Sequence, residues 1–151
     1  EIYTLSLHDA LPICQVLEFQ GAFGPRGDSL DVILPCQLDL RGEAAADVLV
    51  RALSATAGAM GATWGCVWSQ AGPLPDPPSL EGGLPTAVHW ANWLSPALSA
   101  RLGPRAAGVA SGEAGASFDG RLLRLGRRLL DAYDPADEAL RLRAQAALLG
   151  R

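Results

Sequence analysis

Five of the 11 prolines stand between Gly72 and Pro85, and that cluster sets the plan of the whole chain. Proline fixes φ and offers no backbone N–H, so neither a helix interior nor a central strand runs through such a stretch. With Gly72, Gly82 and Gly83 it predicts a long, semi-rigid loop that separates regular structure on either side. The 151 residues suffice for one ordinary domain with its own core.

Before the loop, apolar runs at Val16–Phe23 and Leu30–Leu34 flank Gly24-Pro25-Arg26-Gly27-Asp28, which predicts a β-hairpin that continues through Leu38 and Leu40. Ala46, Leu49, Val50, Leu53, Ala57 and Met60 recur at steps of three and four, predicting a helix from Glu43 to about Met60. From Ala62 to Ser69 the pattern alternates, with Trp64, Cys66 and Trp68 on one face of a buried strand. After the loop, Trp90, Trp93, Leu94, Leu98 and Leu102 predict a helical segment from about Thr86. Ser95-Pro96 gives a cap and restart, and Gly103 a stop. Pro104 to Asp119 reads as a small-residue loop and Leu122–Leu125 as a short strand. Asp134-Pro135 opens a last helix that runs to about Leu149. The expected fold is α+β: a small antiparallel sheet with helices packed on one face, in the order β-β-α-β-α-β-α.

The segment Glu1–Ile13 belongs to a different coding regime. It holds two of the three isoleucines and one of the two tyrosines, in a chain otherwise dominated by Ala, Gly, Arg and Pro. The thirteen residues Glu-Ile-Tyr-Thr-Leu-Ser-Leu-His-Asp-Ala-Leu-Pro-Ile resemble, codon for codon, the in-frame translation of a short-read sequencing-library adapter. The resemblance implies a non-native segment at 1–14, with Cys14 at the junction, and an N-terminally truncated α+β domain at 15–151. It also removes His8 and Asp9 as a catalytic pair. Glu1 and Asp9 account for two of the 16 acidic residues, leaving 14 against 12 basic residues and a net −2. That balance steers no polyanion or membrane surface.

Few residues carry chemistry. His89 with Cys36 or Cys66 lacks a third orienting group and metal-ligand spacing, so no catalytic, cofactor or metal residue is assigned. Asp131, Asp134, Asp137 and Glu138 sit where a helix cap and dipole want acids. Arg26-Gly27-Asp28 matches an integrin-binding tripeptide but is what a turn requires. Residues 52–75 carry no charge, yet they are rich in Ala, Gly, Ser and Thr and end in prolines, which does not make a membrane span. Arg121, Arg124, Arg127 and Arg128 form a basic group without aromatic interleaving, which argues against nucleic acid and reads as a solvated face paired with nearby acids or, alternatively, as a docking site for an acidic protein surface. Four tryptophans complete the inventory, and Trp and Arg dominate protein interfaces.

The stretch His89-Trp90-Ala91-Asn92-Trp93-Leu94-Ser95, followed by Leu98 and Leu102-Gly103, resembles a segment of bacterial immunity proteins of the polymorphic-toxin and type VI secretion families. The similarity covers about residues 60–149. It implies a small cytoplasmic α+β protein that binds and neutralises a toxin without catalysis. The expected contact surface combines Trp68, the Pro-rich loop, Asn92 and Trp93, with Arg124 and Arg127. Trp90 and Trp93, three residues apart, would instead share one buried face if both are core. A small enzyme using carboxylates and a purely structural domain are the alternative readings. A chain beginning at Gln15 is expected to melt within a few degrees of the full chain; a larger drop would show that residues 1–14 complete the fold.

Overall fold

The computed structural model describes residues 18–22, 29–33, 42–68, 78–112, 115–131 and 133–150. The chain divides into two compact units, Glu1–Asp39 and Leu40–Arg151. In the first, β1 (Glu18–Ala22) and β2 (Ser29–Ile33) form an antiparallel hairpin, with Gln20 opposite Asp31, as the two apolar runs predict. The expectations for residues 1–14, the Arg26-Gly27-Asp28 turn, Cys36, Leu38, Leu40 and positions 69–77 lie outside the described residues.

The second unit is built on a four-stranded antiparallel sheet in the order β3-β6-β8-β7. Helix α1 (Glu43–Ala59) precedes β3 (Trp64–Val67). The two-residue strands β4 (Leu80–Glu81) and β5 (Leu84–Pro85) pair around Gly82 and Gly83, whose φ of 58° and 74° suit a tight type I′ turn. Then follow β6 (Ala91–Leu94), α2 (Pro96–Gly112), β7 (Ala116–Phe118), β8 (Leu122–Leu125) and α3 (Pro135–Leu149). The α+β class and the small antiparallel sheet agree with the sequence. The element order differs, because the chain after α1 holds more strands than the pattern shows.

Two local corrections explain the difference. The segment from Thr86 to Leu94 is not helical; its end is β6, and all four β6 residues are buried. A strand covered on both faces has no alternation, and Trp90, Trp93 and Leu94 happen to fall at helical steps. Gly103 and Pro104 do not end α2, which continues through both to Gly112. Leu98, Leu102, Ala106 and Val109 are all buried along one side, and that stripe carries the helix past its weak residues. The expected small-residue loop after Gly103 is therefore the second half of α2 plus β7.

The helix signals at the two clear starts are realised. Ser95 Oγ accepts from Leu98 N–H at 3.2 Å, with Pro96 as the first residue of α2. Asp134 caps α3 by accepting from Ala136 N–H at 2.9 Å, with Pro135 in the first turn.

The register places Gly65, Trp93 and Leu122 side by side on one sheet face, and Trp64 with Leu94, Cys66, Asn92 and Leu123 on the other. Helix α1 covers the first face. A Cβ added at Gly65 would stand 3.0 Å from Leu53 Cδ1, 3.6 Å from Ala57 Cβ and 4.0 Å from Trp93 Cβ. Glycine is thus what allows α1 to approach β3. The second face carries Leu94, Leu123 and Leu125, all without exposure, in the same core cluster as the α2 and α3 residues Leu98, Leu102, Ala144 and Leu148. Burial on both sides of β6 replaces the one covered face that the sequence pattern implied. Gly65→Val is expected to cost about 1–3 kcal/mol, the usual range for overpacking a filled site, read from urea unfolding.

Candidate functional site

The start of β6 is a turn fastened by its own side chains. Asn92 Oδ1 accepts from His89 N–H at 3.2 Å, and Asn92 Nδ2 donates to His89 O at 2.7 Å. Both amide groups of a buried asparagine are thereby satisfied within the turn. His89, 2% exposed, lies against Trp64 at 5.8 Å between ring centroids and edge-on to Trp68 at 6.3 Å. Burial, reinforced by the nearby Arg141 cation, lowers the His89 pKa from 6.5 to about 4, so the ring is neutral near pH 7. Its Nε2 and the Nε1 of Trp64 and of Trp90 are buried and have no hydrogen-bond partner.

Helix α3 reaches this turn. Arg141 Nη1 donates to Val88 O at 3.3 Å and to Gln145 Oε1 at 3.0 Å, while Gln145 Oε1 accepts from Val88 N–H at 3.3 Å. Glu138 accepts two bonds from Arg141 at 2.7 and 2.8 Å, and this pairing holds its carboxyl below the usual range.

A second arginine organises the opposite side. The Arg124 guanidinium lies 5.2 Å from the Trp90 ring centroid and pairs with Asp47 of α1 at 2.6 Å. It also donates to Gly126 O at 2.9 Å and to Arg127 O. Each of its three nitrogens thus donates inside the protein, joining β8 to α1 and to the loop after β8.

That loop is itself locked. Arg128 pairs with Asp137 at 2.7 Å, and this hydrogen bond raises the guanidinium pKa. Asp137 Oδ2 accepts from Asp131 N–H at 2.8 Å, and Asp131 Oδ1 accepts from Tyr133 N–H at 2.9 Å. Tyr133 nevertheless stands 71% exposed, the most exposed of the large apolar side chains described, and Arg127 is exposed in the same loop.

The surface expected from the sequence is only partly a surface. Trp68 is half-buried, and Arg127 is exposed as expected. Asn92 and Trp93, 2% and 5% exposed, are taken up by the turn and by the α1 face of the sheet, so neither side chain is open to solvent. Arg124 is committed to Asp47 and Trp90. Tyr133 is the functional candidate that the sequence reading omits, because the acids around it read as helix-cap residues; an aromatic set between Asp131 and Asp134 is the available signal.

No group of three or more His, Cys, Asp or Glu suited to a metal ion occurs among the described residues, and none of their helices is long and apolar enough to cross a membrane. No family model, curated protein or solved structure matches the chain. Trp93→Ala is expected to cost about 3–5 kcal/mol of stability, as for other buried large aromatics, in a urea titration of the purified protein. A loss under about 1 kcal/mol would return Trp93 to the list of contact residues.

Proposed function

We propose that this chain is a non-enzymatic protein-binding domain of the immunity type, which holds a cognate bacterial toxin in the cytoplasm and neutralises it. The observation that carries the reading is the exposed Tyr133 on a loop fixed by Arg128, Asp131 and Asp137, with Arg127 beside it. Tyrosine and arginine supply most interface hot spots. A loop whose backbone is already held by side-chain bonds loses less entropy on binding than a mobile one. The carboxylates that an enzyme would need are spent on structure: Asp134 caps α3, Asp137 holds Arg128 and Glu138 holds Arg141. His89 is enclosed by aromatic rings rather than set beside an acid.

The test begins by reading the DNA directly upstream for a secreted-toxin gene and uses the toxin candidate found there. Co-expression is expected to restore growth to cells arrested by that toxin, and the purified pair to bind. Tyr133→Ala and Arg127→Ala are each expected to raise Kd by about 30-fold, or about 2 kcal/mol, with an unchanged melting temperature. Absence of both rescue and binding would overturn the reading. Binding that survives both substitutions would move the contact surface elsewhere.

A further inference from the structure

The box around His89 is built so that the neutral ring fits and the charged ring does not. The imidazole is 2% exposed, and its Nε2 has no acceptor within reach. Trp64 and Trp68 flank it from the β3 side, where Cys66 lies opposite Asn92. From α3 comes a cation, Arg141, whose own counter-charge Glu138 is engaged by two hydrogen bonds. A proton arriving from solvent at Nε2 of His89 would therefore create a second buried cation near the first, without a hydrogen-bond partner at that nitrogen. The indole rings offset part of that penalty, since aromatic faces attract cations.

The link between this box and α3 rests on long hydrogen bonds. Two bonds to Val88, from Arg141 and to Gln145, are both 3.3 Å long. A third, from Arg105 of α2 to Leu148 O, is also 3.3 Å. Only Ala144 and Leu148 of α3 are buried, whereas every residue of β6 is. Elements with few buried apolar contacts open first.

We propose that His89 is an acid-sensitive latch: its protonation expels Arg141 and releases α3 from the start of β6 while the sheet stays formed. The sign follows from linkage. The neutral form is favoured in the closed state, whose His89 pKa is about 4 against 6.5 when the ring is free. The latch is closed above pH 6.5, weakens as pH falls through that value, and gains no further weakening from His89 below about pH 4. Glu138, with its lowered pKa, contributes only below the ordinary carboxylate range, so the upper part of the window reports His89. The opening constant of α3 should rise as pH falls from 6.5 toward 4, by less than the limit of about tenfold per pH unit because Trp64 and Trp68 still cover the ring while the sheet stays formed.

Hydrogen exchange of the full chain, corrected for intrinsic rates, tests this together with an NMR titration of the His89 ring. The expected result is faster opening at Ala144 and Leu148 as pH falls from 6.5, with Leu123 and Leu125 of β8 unchanged, and protonation of His89 only well below pH 6. His89→Gln is expected to flatten the α3 dependence. Titration of His89 near 6.5, or equal acceleration of β8 and α3, would overturn the proposal; both are read on the unaltered protein and so do not depend on the variant folding.

Discussion

A strand buried on both faces has no water to satisfy its backbone, so the N–H and C=O groups of Ala91–Leu94 must find their partners in flanking strands. Strand β3 supplies them on one side and β8 on the other. Beyond the paired residues, Leu94 N–H donates to Arg121 O at 2.8 Å and Leu125 N–H to Trp90 O at 2.7 Å. The remaining architecture follows from covering this strand: α1 over Gly65 and Trp93, and the leucines of β8, α2 and α3 in one cluster across the sheet. The turn that feeds β6 is closed by Asn92 rather than by water. Asn92 is thus a structural residue in spite of its polarity, and its amide would be costly to leave unpaired in that position.

Two arginines bind the helices to this centre, each in its own way. Arg124 lies over Trp90 and joins α1 to the loop after β8, with a side chain that is mostly buried against a more exposed Asp47. Such a pair contributes less through its charge than through the four groups it holds in place. Arg141 ties α3 to Val88 and stands close enough to His89 to disfavour a second positive charge there. Arg124 acts through the groups it holds together, whereas the charge of Arg141 adds to the burial that already disfavours a protonated His89.

The sequence is most legible where local chemistry decides the structure. Asp134-Pro135 and Ser95-Pro96 mark helix starts because a cap and an N1 proline act within one turn. Leu122, Leu123 and Leu125 mark a strand that the structure bounds at Leu122–Leu125, framed by Gly120 and Gly126, both with positive φ. Legibility fails where packing decides. Trp90, Trp93 and Leu94 carry a helical spacing in a strand, because full burial removes the alternation that would give it away. β7 hides in a run of small residues that only its pairing with β8 makes a strand. For the site, the tryptophan and asparagine expected outside lie inside. The exposed aromatic is instead Tyr133, whose position depends on hydrogen bonds between side chains and backbone amides that no periodicity encodes.

Strands β3 and β6 are ladder partners, with Val67 opposite Ala91, and the proline-rich stretch lies wholly between them. Joining the ends of a loop costs an entropy that rises only slowly with its length. Strand pairing here therefore constrains where that stretch begins and ends, and hardly constrains how long it is. The opposite holds between β6 and β8, where α2 and β7 occupy most of the chain and a residue inserted within α2 would shift a packed helix. Relatives of this protein would be expected to differ in length in the first interval and to keep the second, so one side of the central strand is free to diversify while the other is held.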